Sequence, residues 1–126
     1  MSDLNIFFQS IIEQDKSSVV ICDTEHKIIY MNPAAIENYK NRGGDALVGS
    51  SIFDCHNEKS IEMIKKVVAW FGQDKNNNLV HTFYNHKQNK DIYMVALRDS
   101  SENLIGYYEK HEFRTKDASP FYDLRN

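Results

Sequence analysis

Val19-Val20-Ile21-Cys22-Asp23-Thr24-Glu25-His26-Lys27-Ile28-Ile29-Tyr30-Met31-Asn32-Pro33-Ala34-Ala35 is the stretch whose reading decides the fold. Two runs rich in β-branched residues flank Asp23-Thr24-Glu25-His26, whose short polar side chains can hydrogen-bond the backbone of a tight connection. The segment therefore reads as strand, turn, strand. Asn32 then offers an N-cap oxygen, and Pro33 stands at the first helical position, where its missing N–H costs nothing and its φ is already helical. The second strand is expected to end abruptly in a helix, with Asn32 as its structural cap.

Before this hairpin, Leu4, Phe7, Phe8, Ile11 and Ile12 recur at helical spacing and form one apolar stripe within residues 1–16. Such a stripe either packs on the chain's own sheet or meets a second copy as a dimerising helix. After the hairpin, Ala34 to Tyr39 makes a short helix stopped by Asn41-Arg42-Gly43-Gly44. Short turns follow that bury Leu47, Ile52 and Phe53. The main helix starts near Asn57 or Ser60, carries Ile61, Ile64, Val68 and Phe71 on one face, and is widened by Met63, Val67 and Trp70. That width predicts a mostly enclosed helix, ended by Gly72.

Three further strands are expected at Leu79 to His86, Asp91 to Arg98 and Leu104 to Phe113, joined by hairpin-length connections and hence antiparallel. In the middle strand both alternating faces are apolar, so the sheet is expected to be covered on each side. Residues 17–114 form the domain, and residues 115–126 a tail that either frays or covers an edge.

Composition narrows the function classes. A chain of 126 residues with 41% hydrophobic and 26% charged residues suits one soluble α+β domain with a single core. Fifteen basic residues against eighteen acidic ones, scattered along the chain, do not favour a nucleic-acid partner. No apolar run is long enough to span a bilayer, and the N-terminus lacks signal-peptide character, so no membrane association and a cytoplasmic location are expected. Cys22 and Cys55 make no disulfide framework, and Cys22 reads as a small buried strand residue. Hydrolase elbows, phosphate-binding glycine loops and zinc-protease motifs do not occur, so an enzyme is not expected.

The ordered set Asp23-x-x-x-x-Ile28-x-Tyr30-x-Asn32-Pro33-Ala34-Ala35, Gly49-x-x-Ile52-Phe53-Asp54 and Gly106 in the last strand resembles the PAS family across roughly Ser17 to Arg114. Asp54-Cys55-His56-Asn57-Glu58-Lys59-Ser60 is similar to a PAS branch with Cys-His-Pro-Pro-Lys-Ser before the long helix, with Asn57-Glu58 replacing the two prolines. The resemblance implies a five-stranded antiparallel sheet with helices on one face and a small-molecule cavity between sheet and long helix. It also implies sensing or relay in place of catalysis; the two apolar faces of the middle strand and the Leu4 to Ile12 stripe add the expectation of a homodimer, and output through an unidentified signalling partner protein is expected.

The expected cavity wall is Met63, Ile64, Val67 and Val68 from the long helix, facing Phe83, Tyr93, Val95 and Tyr108 from the strands, which suits a small apolar or planar ligand. The same side chains could instead interlock as a dry core, leaving an interaction module whose outer surfaces do the work. Cys55 and His56 are candidates for redox or haem sensing; His81 and His111 are further candidate haem ligands on strands. Flavin photochemistry is not favoured, because Cys55 lies outside the Asn-Cys-Arg-Phe-Leu-Gln run that light-sensing PAS domains carry. The competing reading has His56 and Asn57 cap the long helix while Cys55 is buried.

Overall fold

A computed structural model of the chain describes residues 3–124. Met1 and Ser2 of the expected N-terminal segment, and Arg125 and Asn126 of the tail, lie outside the described residues. Helix α1 (Leu4–Gln14) leads into strands β1 (Val19–Asp23) and β2 (Ile28–Met31), then helix α2 (Pro33–Asn38). Three 3-10 turns follow at Lys40–Arg42, Gly44–Leu47 and Ile52–Cys55. Helix α3 (Glu58–Gln73) crosses over to strands β3 (Leu79–Asn85), β4 (Lys90–Arg98) and β5 (Leu104–Phe113). The five strands form one antiparallel sheet in the order β2-β1-β5-β4-β3.

Local chemistry explains the hairpin and its exit. Asp23 Oδ1 accepts from the Glu25 and Lys27 amides at 2.9 and 3.0 Å, and His26 takes a left-handed φ of 67° that closes the turn. Asn32, which is fully buried, accepts from the Ala35 amide at 2.9 Å and so caps α2. The same oxygen accepts from the Val19 amide at 2.9 Å, while Nδ2 donates to the carbonyls of Ile12 and Ser17, both at 3.0 Å. One side chain thus ties together the end of α1, the first residue of β1 and the first turn of α2.

The core lies between the sheet and the helical segments. Val20, Cys22, Met94, Ala96 and Tyr107 point inward from the strands and meet Ala35, Ile52 and Phe71. Ile64, Val67 and Val68 of α3 pack against this cluster. Cys22 is 1% exposed, and burial pushes its thiol up to about 12, so it is an inert filler. Gly106 sits where β5 runs against β1; a Cβ there would lie 2.2 Å from the Cys22 carbonyl oxygen, so only glycine fits.

Three expectations are corrected. Helix α3 does not stop at Gly72 but continues to Gln73 and ends as Asp74 turns extended, with Asn77 donating to the Trp70 carbonyl and Arg98 to those of Phe71 and Asp74. Nor is α3 mostly enclosed: only the Ile64, Val67, Val68 and Phe71 stripe meets the core, leaving Met63 52% and Trp70 39% exposed. Helix α1 buries none of its residues and leaves Leu4, Phe7, Phe8 and Ile11 in the open, so it does not lie flat on the sheet. In the tail, Phe121, Tyr122 and Leu124 are exposed and cover no edge. No helix among the described residues is long and apolar enough to cross a membrane.

Candidate functional site

Alternation along β5 turns Tyr107, Glu109 and His111 toward the helices. Their cross-strand partners are Cys22 and Val20 on β1 and Ala96, Met94 and Ile92 on β4, so a carboxylate and an imidazole stand on an otherwise apolar surface. Glu109 Oε1 accepts from the Tyr39 hydroxyl at 3.2 Å and is 2.7 Å from His111 Nε2. Burial alone would raise the Glu109 carboxyl, but the hydrogen bond and charge of His111, with Tyr39 and His56 adding to them, hold it below the ordinary carboxylate value. Burial and the adjacent Glu109 push the Tyr39 phenol up, so it stays protonated and donates.

These groups form part of the wall of a cavity of about 380 Å³ between the inner sheet face, the end of α2 and the 3-10 segment. Val20, Ile28, Met31, Leu47, Ile52 and Ile92 supply its apolar wall. Arg42, Lys90, Asn85, Gln88, Glu109 and His111 supply its polar side. The size falls in the lower part of the range of small-molecule sites, about 300–1,000 Å³, and the mixture of apolar wall and few convergent polar groups is what such sites use.

Electrostatically the polar side is unbalanced. The Glu109 carboxylate is engaged by His111 and Tyr39, whereas the ammonium of Lys90, a residue only 4% exposed, has no ion pair or hydrogen bond among the described residues. Its ammonium lies 5.3 Å from the Phe113 ring centroid, a cation–π contact, and burial lowers its pKa while Glu109 partly raises it again. His111 is also buried, and its Nδ1 lacks a hydrogen-bond partner.

The residues expected to line the cavity fall elsewhere. Ile64, Val67 and Val68 interlock with the core, and Met63 turns outward on the far side of α3, so none of the four borders the cavity. Tyr93, Val95 and Tyr108 occupy the opposite sheet face: Val95 pairs with Tyr108 and Tyr93 with Lys110, one residue out of step with the buried Met94, Ala96 and Tyr107. Phe83 pairs with Ile92 beside a bulge on the edge strand and is 59% exposed. A strand with two apolar faces does not declare which one turns inward, and this parity decided the matter.

Cys55 and His56, by contrast, do border the cavity. His56 Nδ1 is 2.8 Å from the Ile52 carbonyl, and Asn57 alone caps α3, accepting from the Ser60 amide at 2.8 Å. His81 is on the far face, its Nε2 2.8 Å from Asp91 and its ring stacked on Tyr93. Among the described residues, no group of three or more His, Cys, Asp and Glu side chains is arranged to hold a metal ion. Sequence reading missed Tyr39, Arg42, Lys90 and Glu109. A usable signal was present: Glu109 and His111 break the apolar pattern at the parity of Tyr107.

No protein-family model matches the sequence, and no curated protein matches it. Solved structures do. A PAS domain from Colwellia psychrerythraea aligns with a TM-score of 0.65 at 13% identity, covering 88% of this chain and 97% of that one. The PAS domain of Bordetella pertussis BvgS gives 0.65 at 16% identity, covering 93% and 90%. A sensory box sensor histidine kinase structure from Vibrio cholerae gives 0.58 at 9% identity, covering 86% and 90%.

Proposed function

We propose that this chain, which has the PAS fold, is a sensory domain without catalytic output that binds a small molecule in the cavity bordered by Tyr39, Glu109 and His111 and relays occupancy through contacts with another subunit or a signalling partner. The observation that carries the reading is the cavity itself, about 380 Å³ on the core side of the sheet with buried polar groups in its wall. A core built only for packing would fill such a space with apolar side chains, because burying polar groups carries a desolvation cost. The sensor kinase structure from Vibrio cholerae with the same fold adds to the reading.

The relay surface is the α1 stripe and the sheet face behind it. Leu4, Phe7, Phe8 and Ile11 are each more than half exposed, and an open groove of about 710 Å³ runs from Ile11 and Ile12 over Ile21, Leu97 and Tyr108. A contiguous apolar surface of this kind suits a homodimer contact. Because Asn32 bonds both α1 and α2, and Tyr39 follows α2 into the cavity wall, ligand contacts have a short mechanical path to α1.

Native mass spectrometry of the freshly purified protein, followed by denaturation and identification of released small molecules, tests the cavity. Added mass that is lost on denaturation is the expected result. A bare-chain mass, unchanged after incubation with cell extract, would turn the reading to an interaction module. Sedimentation of the full chain at micromolar concentration should show a dimer that Phe8→Glu dissociates; a monomer in both would remove the homodimer.

A further inference from the structure

We infer that the cavity takes a small organic carboxylate, its acid group held by Lys90 and His111 and its hydrocarbon body laid against Val20, Ile28 and Ile52. This inference rests on the cavity being a ligand site and specifies the ligand's chemistry. Three observations carry it.

The first is charge. Lys90 is 4% exposed on the inner face of β4, and its ammonium has neither an ion pair nor a hydrogen bond among the described residues. Glu109 is the carboxylate that favours its charged form, and because Tyr39 and His111 already bond that carboxylate, a further anion on Lys90 would offset the remaining cost of burial. The second is an empty hydrogen-bonding position. The His111 side chain is 2% exposed, its Nε2 is engaged with Glu109 Oε1 at 2.7 Å, and its buried Nδ1 has no partner. With a proton on both nitrogens, Nδ1–H would donate to a carboxylate oxygen while Nε2–H donates to Glu109. Lys90 pairs with Phe113 and Ile92 with His111, so Lys90 and His111 are diagonal neighbours on one face, within reach of a single bridging group.

The third observation is what the rest of the wall offers. Glu109, already bonded by Tyr39 and His111, does not neutralise Arg42, whose guanidinium donates to the Cys55 carbonyl at 3.3 Å. Counting the buried Lys90 and a doubly protonated His111 against Glu109 leaves a surplus of one positive charge, which a monoanion balances, while Arg42 is exposed to solvent. The apolar wall makes an inorganic anion a poor occupant, because it would leave Ile28 and Ile52 facing a hydrated ion. A carboxylate on a short chain or a ring satisfies both halves.

Hexanoate and benzoate, each compared with its amide, are the probes. Calorimetric titration of the full chain at neutral pH, with amide NMR shifts at residues 85–92 and 109–111 as the site readout, should show saturable binding of at least one acid at least about tenfold tighter than its amide. Lys90→Met keeps an apolar stem in place and removes the charge, and it should abolish that preference while the fold persists by circular dichroism. Lys90→Gln serves if the methionine variant does not fold. Amides that bind as well as the acids would overturn the carboxylate and leave the ligand site standing. Inorganic phosphate that competes with or exceeds both acids would overturn the organic body. Neither acid binding at about 10 mM would overturn the inference, and native mass spectrometry would then decide separately whether the cavity is occupied at all.

Discussion

Replacing Asn32 by alanine should be among the most damaging changes of a single polar side chain. The Asn32 amide makes four bonds of 2.9–3.0 Å in a fully buried position: it accepts from Val19 and Ala35 and donates to Ile12 and Ser17. Loss of the α2 cap costs about 1 kcal/mol. The Val19 amide, left buried without a partner, adds about 1–3 kcal/mol, and the two released carbonyls add about 0.5–1 kcal/mol each. The sum is about 3–6 kcal/mol, a large share of the 5–15 kcal/mol that domains of this size possess. In a thermal scan it corresponds to a Tm about 10–20 °C lower.

Urea denaturation followed by circular dichroism and Trp70 fluorescence would measure the loss. Hydrogen exchange would locate it, with α1 amides exchanging far faster once the Ile12 carbonyl is released. Asn32→Asp separates the two halves of the amide. Its carboxylate can still accept from Val19 and Ala35, but it cannot donate to Ile12 and Ser17, so α2 should stay capped while α1 detaches. An alanine variant within about 1 kcal/mol of the parent, or α1 exchange unchanged in both variants, would refute the reasoning.

Glu109 should give the fold an acid-sensitive limb. Its folded-state pKa lies below the unfolded value, so its contribution is present above the unfolded pKa of about 4.3 and is lost as pH falls through the folded one. Urea midpoints of Glu109→Gln should accordingly vary less with pH below about 4.3 than those of the parent, and equal slopes would remove the His111–Glu109 coupling. Arg98→Lys should cost about 2–3 kcal/mol, because the guanidinium fork bonding Phe71 and Asp74 carbonyls and the Asn78 side chain cannot be reproduced by an ammonium, and exchange should quicken at residues 71–78. With a thiol reagent, the native protein should lose only Cys55 quickly, while Cys22 reacts after unfolding. Fast modification persisting in Cys55→Ser would show that Cys22 is accessible.

Much of the fold is written in short-range signals. The Asp23 turn, the Asn32 cap, the Asn57 cap and the apolar stripe of α3 each act within one or two turns of chain, and all four are found where the residues place them. Gly106 belongs with them as a sequence marker, although its reason, the approach of the Cys22 carbonyl, is visible only once β1 and β5 are paired. The cavity was far less legible. Met94 and Val95 are equally apolar, so periodicity could not say which parity faces α3, and the error placed Tyr93, Val95 and Tyr108 on the wrong face.

By itself, then, the sequence determined the order of elements, the antiparallel pairing of the later strands and the entry hairpin, because caps, turns and periodicity are properties of neighbouring residues. Only the tertiary structure decided which sheet face is covered, that Ile64, Val67 and Val68 of the long helix pack against the core cluster, and that the cavity opens nearer α2. The physical reason is separation along the chain: Tyr39 meets Glu109, and Arg42 and Lys90 share one wall, only after strand register has chosen the inward parity of β4 and β5.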